Sequence, residues 1–172
     1  PAVVIKNCVI SPEIVFEGYQ PYNSEFVCGG ALAEIGQNDS FSVTAENVML
    51  RPSITSNSSH EYKKTGGFIG NISNSNGAAS VRTVSITNMT IDGAKIVSEN
   101  GGALLGESWN NCEVSVGSET ENGITVKSAE VTQNGKGGFA GLVTAATGCW
   151  KVYGVNIEAI TVSGTSAASF GM

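Results

Sequence analysis

Charge is scarce in this chain of 172 residues: Lys, Arg, Asp and Glu make up 14% of it, against roughly 25% in an average globular protein. The nine basic residues are scattered and outnumbered by fifteen acids, which excludes the clustered phosphate neutralisation of a nucleic-acid binder. A single histidine, His60, excludes a His-based metal site, and the cysteines Cys8, Cys28, Cys112 and Cys149 lack the CxxC spacing of a zinc or redox motif. No apolar run approaches the ~18 residues of a membrane span, so no membrane insertion is expected of this segment. No GxGxxG or GxxxxGK[ST] phosphate loop occurs. No cofactor is expected.

What replaces charge is small and polar: 22 Gly, 20 Ser, 13 Thr and 15 Asn. This surplus of turn formers and β-branched residues over Leu, Lys, Glu and Arg predicts an all-β, turn-rich fold rather than a helical bundle. The length is that of a single domain over residues 1–172.

Two signals alternate along the chain. The first is a glycine pair followed by small or apolar residues, at Gly29-Gly30, Gly66-Gly67, Gly101-Gly102 and Gly137-Gly138, with spacings of 37, 35 and 36. The second is an apolar-x-small-apolar-x-apolar block: Ile5 to Ile10, Ala45 to Leu50, Ile86 to Ile91, Val126 to Val131 and Ile157 to Val162. Within it a period-2 strand changes phase once, at Asn7, Asn47, Asn88, Ser128 and Ala159. Asn tolerates the left-handed conformation of a corner, so the three asparagines are expected to stack as a hydrogen-bonded ladder. These repeats predict a right-handed parallel β-helix of about four to five coils of ~36 residues. The variable spacing between corner and glycine pair predicts loop insertions on one face, at residues 11–27, 51–65 and 92–100, and a smaller one at 117–123 from another corner. The stretch with Lys63 and Lys64 reads as a solvated loop.

Chemistry is sparse. Polysaccharide-cleaving β-helices present several carboxylates on one strand face, whereas Asp39 and Asp92 lie outside the repeated strands and Glu119 and Glu121 share a loop. No catalytic or metal-binding residue is therefore expected. The loops carry Tyr19, Tyr22, Phe26 and Tyr62; as a ligand face these rings would stack a sugar or engage a host or matrix protein, and otherwise they pin their own loops to the solenoid. Cys112 and Cys149 follow their glycine pairs at near-equal distances, which predicts either stacked thiols or an inter-coil bridge. Thr44, Thr87, Thr125 and Thr161 precede the corners, as in a thin version of an ice-binding column.

The glycine pairs with apolar residues and a closing glycine, as in Gly66 to Gly70 and Gly101 to Gly106, followed by a strand of Ile5-x-Asn7-Cys8 character, resemble the GLUG-type repeat of large bacterial surface and secreted proteins. The coils here are about ten residues longer than that family's compact form. Gly29 to Leu32 and Gly101 to Leu104 are similar, more weakly, to the GGA[IL] repeats of chlamydial autotransporter passenger domains, whose companion FxxN element is missing. The first resemblance implies an extracellular, non-catalytic β-solenoid acting as adhesin, stalk or filament module. The alternative is a carbohydrate-active or carbohydrate-binding β-helix whose site lies in the long loops or outside this segment. Because the chain starts and stops within a repeat, it is expected to be part of a longer repeat protein or to associate end to end.

Overall fold

A computed structural model describes residues 2–17, 26–36, 41–56, 63–72, 82–108, 112–133, 137–143 and 149–164. Its first strands are β1 (Ala2–Ile10), β2 (Glu13–Phe16), β3 (Phe26–Gly29), β4 (Leu32–Ile35), β5 (Phe41–Leu50) and β6 (Ser53–Ser56). Next come β7 (Lys63–Gly66), β8 (Ile69–Ile72), β9 (Arg82–Thr87), β10 (Met89–Ser98), β11 (Asn100–Ser108) and β12 (Cys112–Val116). The last are β13 (Ile124–Gln133), β14 (Gly137–Val143), β15 (Cys149–Val152), β16 (Val155–Ile157) and β17 (Ile160–Gly164). Among the described residues there is no helix, and the strand pairings are all parallel. Partners lie about one repeat apart: Ser42 is beside Ala2 and Thr83, and Glu113 is beside Thr83 and Cys149. The result is an all-β stack of parallel rungs, an arrangement consistent with a β-solenoid.

The rungs form an eleven-stranded sheet and a six-stranded sheet that carries the glycine pairs. Between them run columns of like side chains, such as Val43, Val84 and Val114, or Leu50, Ile91 and Val126, all at most 2% exposed. Each such residue contributes roughly 1.5–3 kcal/mol by leaving water, and the two-residue alternation of the strand delivers it to the same side in every rung.

The asparagine corner has the geometry its residues favour. Asn7, Asn47 and Asn88 have φ of 53, 54 and 52°, and Asn47 Nδ2 donates to Asn7 Oδ1 at 3.0 Å. Above Asn88 the column changes. Met89 lies beside Ile124, and Ile124 beside Val155, so Gly123 and Gly154 occupy the Asn88 position. Ser128 and Ala159 do not continue the ladder: Ser128 lies beside Asp92 at a second corner. The last two repeat blocks therefore match residues 91–96 rather than 86–91. Both segments are alternating strands that end in a turn, and a period-2 pattern alone does not distinguish the two corners.

That second corner holds two residues in the lower rungs, Ser11-Pro12 and Arg51-Pro52, and three in the upper ones, Asp92-Gly93-Ala94 and Lys127-Ser128-Ala129. Gly93, at φ 81°, supplies the extra residue.

Several expectations are corrected by the register. Glu13–Phe16 and Ser53–Ser56 are strands, and residues 92–98 belong to β10, so the stretches expected to leave as loops contain faces of the rung. What remains of the first two, residues 18–25 and 57–62, lies outside the described residues. Residues 118–122 do project as an insertion, at the asparagine corner itself. Gly29 aligns with Gly66, Gly66 with Gly102 and Gly102 with Gly138, so Gly101 lies beside Thr65 and Gly137 beside Gly101. The closing glycines Gly70 and Gly106 fall level between paired neighbours. Cys112 lies beside Arg82 while Cys149 lies beside Glu113, so the two are a residue out of step and do not stack. Cys8 and Cys28 are free thiols. Thr44 lies beside Ser85, Thr87 beside Glu46 and Thr125 beside Asn156, so the threonines form no single column.

Candidate functional site

The glycine pairs mark where backbone meets backbone. A Cβ on Gly66 would collide with the Ile69 carbonyl oxygen and come within 2.8 Å of the Gly106 nitrogen; one on Gly67 or Gly30 would collide with the carbonyl oxygen of the next rung. The Gly67 N–H donates to Gly102 O at 3.0 Å and the Gly30 N–H to Gly66 O at 3.1 Å. Gly101 differs, since a Cβ there would meet the Ile96 Cγ2 at 3.2 Å and no backbone.

Of the aromatic residues expected to form a loop face, Tyr19, Tyr22 and Tyr62 lie outside the described residues. Phe26 is in β3 rather than on a loop, and its ring stacks on Phe16 of β2 with centroids 4.4 Å apart and planes at 28°. Phe26 packs in turn against the core.

Polar side chains on the outside pair from rung to rung. Lys6 pairs with Glu46, Arg51 Nη2 with Asp92 Oδ2 at 3.1 Å, Lys95 with Glu130 at 3.9 Å, and the Thr132 and Ser163 hydroxyls lie 3.2 Å apart. At the second corner the Gly93 N–H donates to Ser128 Oγ at 2.8 Å. Glu119 and Glu121 are exposed in the 118–122 insertion, where Ser118 Oγ accepts from the Glu121 N–H at 3.0 Å. No cluster of three His, Cys, Asp or Glu residues suited to a metal ion occurs among the described residues.

The six-stranded sheet holds ionisable groups away from water. Lys63 and Lys64 are 8% and 4% exposed within β7, which overturns their reading as a solvated loop. Lys64 Nζ lies 3.5 Å from Glu107 Oε2, itself 2% exposed as a residue, and Asn71 Nδ2 donates to Glu34 Oε1 at 3.2 Å. Arg82, fully buried in the other sheet, donates from Nε to the Gly36 carbonyl at 2.9 Å, and the Thr65 hydroxyl donates to Ser98 Oγ at 2.9 Å. Burial pushes the Lys63 ammonium down from its ordinary value, opposed by the Glu99 carboxylate, and pushes the Cys28 thiol up. These groups bind the rungs together.

One surface recess stands apart from this pattern. A cleft of about 300 Å³ is lined by Asn122, Gly123, Ile124, Thr125, Gly154, Val155 and Asn156. It lies where the asparagine column passes into Gly123 and Gly154. The backbone there is fixed: the Asn88 N–H donates to Asn122 O at 2.8 Å, Met89 N–H to Gly123 O at 3.0 Å and Ile124 N–H to Gly154 O at 3.0 Å. Asn122 and Asn156 are exposed and Thr125 half-buried, and Thr125 and Asn156 are neighbours in register. Sequence reasoning missed these residues. The signal available was the replacement of Asn by Gly at the corner, which is readable only once the 118–122 insertion is placed.

No protein-family model, curated protein or solved structure matches the chain.

Proposed function

We propose that this chain is a non-catalytic, extracellular β-solenoid segment of GLUG-like character, a right-handed parallel β-helix of about four to five coils serving a surface protein as adhesin, stalk or filament module. Parallel crossovers are right-handed in about 98% of cases, which supports the handedness. One observation carries the functional reading. The outward ion pairs and hydroxyl contacts link rung to rung along the stack, and the exposed acids Glu119 and Glu121 lie in an insertion rather than on a strand face. Such an arrangement suits rigidity and reach. Its partners are a host or matrix protein, a glycan, or further copies stacked end to end. The carbohydrate-binding alternative is favoured by the cleft at Asn122, Thr125 and Asn156.

The test is retention of the folded fragment on an array of matrix proteins and glycans, with polysaccharide hydrolysis assayed in parallel. Retention without turnover supports an adhesin. A folded fragment that is retained nowhere and associates with itself supports a filament or spacer. Turnover of any polysaccharide overturns the non-catalytic reading.

A further inference from the structure

The geometry points to the cleft at the upper end of the asparagine column as a binding site for an uncharged sugar unit. The inference rests on the reading of this chain as a binding surface and adds a place and a ligand class to it. No ionisable side chain lines the cleft, so nothing there neutralises a phosphate, carboxylate or ammonium ligand. What lines it is amphipathic in the way a pyranose is. Gly123 and Gly154 leave bare backbone and Val155 adds an apolar surface, while Asn122 and Asn156 contribute amides and Thr125 a hydroxyl. An amide both donates and accepts, as does a hydroxyl, and a sugar hydroxyl requires both. The volume of about 300 Å³ is at the lower end of ligand pockets, the size for a small unit rather than a folded partner. Tyr153, half in solvent at 53%, directly precedes Gly154, as an aromatic beside a sugar site commonly does.

The site is preformed. Thr125 and Asn156 are held in register by β13 and β16, and Asn122 and Gly123 are anchored through their carbonyls to Asn88 and Met89. Binding therefore needs little ordering, which favours a weak ligand such as a sugar.

Gly154 provides the decisive variant. A Cβ there meets only the Gly123 nitrogen, at 3.6 Å, and its φ lies outside the positive region, so Gly154→Leu fills the cleft without straining the rung. Gly36, where a Cβ meets nothing within 4 Å, gives a matched control in Gly36→Leu. The fragment is screened on an array of neutral oligosaccharides, and the best ligand is titrated by calorimetry against wild type, Gly154→Leu, Gly36→Leu and Asn156→Ala, with circular dichroism checking each fold. Expected are retention on at least one uncharged glycan, about a tenfold or greater loss of affinity in Gly154→Leu and Asn156→Ala, and no change in Gly36→Leu. Retention only on charged glycans or peptides overturns the proposal, as does retention on none. So does binding that survives Gly154→Leu in a folded protein. If Gly154→Leu fails to fold, the exposed Asn156→Ala decides alone, and unchanged affinity overturns the site. Adhesion to a matrix protein that is indifferent to both cleft variants would leave the adhesin reading standing and end this one.

Discussion

In β9 of the eleven-stranded sheet burial alternates, with Arg82, Val84 and Ile86 inside and Thr83, Ser85 and Thr87 half in solvent; in β7 and β8 of the six-stranded sheet every position is buried. A sheet with one wet face accepts almost any outward side chain, so its surface pairs trim stability and little more. A sheet dry on both faces accepts small, apolar or paired groups only. That is where Gly66, Gly67 and Gly70 are found, and where Lys64 has Glu107 and Asn71 has Glu34. The same composition of Gly, Ser, Thr and Asn thus serves two purposes, flat solvent-facing columns in one sheet and close backbone approach in the other.

The comparison is sharpest at two glycines one position apart. Gly66→Ala is expected to cost more than about 3 kcal/mol or to prevent folding, because backbone atoms of two rungs stand where the methyl would go. Gly101→Ala should cost about 1 kcal/mol or less, since only the Ile96 methyl must give way. Urea denaturation measures both, and equal losses would show that the glycine column is not set by close approach. Next in size are the ion pairs. Removing one partner of the buried pair, by Glu107→Ala, should cost about 3–5 kcal/mol. Lys6→Ala, at the exposed Lys6–Glu46 pair, should cost less than about 1 kcal/mol. If the two losses match, the six-stranded sheet is wetter than its burial indicates.

The asparagine corner lies between these extremes. Asn47→Ala should lose about 1–2 kcal/mol from its left-handed backbone, while Asn47→Gly should recover most of it and lose chiefly the bond to Asn7. A pair of variants that agree would mean the side chain, not the backbone, matters there. The smallest effect is one of pH. Below the ordinary thiol range Cys28 is protonated folded and unfolded alike. Above it only the unfolded thiol ionises, because burial raises the folded value, so stability falls as pH rises, by at most about 1.4 kcal/mol per unit. Lys63 acts oppositely: its lowered folded value makes stability rise with pH from that value up to the ordinary lysine range. Denaturation midpoints across alkaline pH should therefore decline less in Cys28→Ala than in wild type.

The lower half of the stack was legible from residues alone. Ile5, Ala45 and Ile86 align as the repeat blocks place them, and Asn7, Asn47 and Asn88 are left-handed. Legibility failed where chain length around the rung changed. An added residue at Gly93 and the insertion at 118–122 shifted the upper blocks by a whole corner, and a two-residue alternation carries no label for which corner it ends at. The doubling of glycines hid a second slip, because in Gly101-Gly102 either residue matches the motif while Gly102, not Gly101, is the one level with Gly66. The burial of Lys63, Lys64 and Glu107 was illegible for another reason, since charged residues beside Thr65 and Ser108 read as solvent-facing until both faces of their sheet are known. The cleft at Asn122 and Asn156 is formed by residues from successive rungs and needs both of these registers.

The two-residue corner of the lower rungs and the three-residue corner of the upper ones divide the chain into parts with different rules for growth. The stretch from Asn47 to Thr87 begins at one left-handed asparagine and is followed directly by the next, Asn88. A tandem copy of it would seat on its own template and lengthen the molecule by about 4.8 Å without a new joint. A copy that carried this two-residue corner to a place above Gly93 would set it against three-residue neighbours. Length in this protein is thus an inheritable dimension, adjustable by duplication so long as each copy stays on its own side of Gly93.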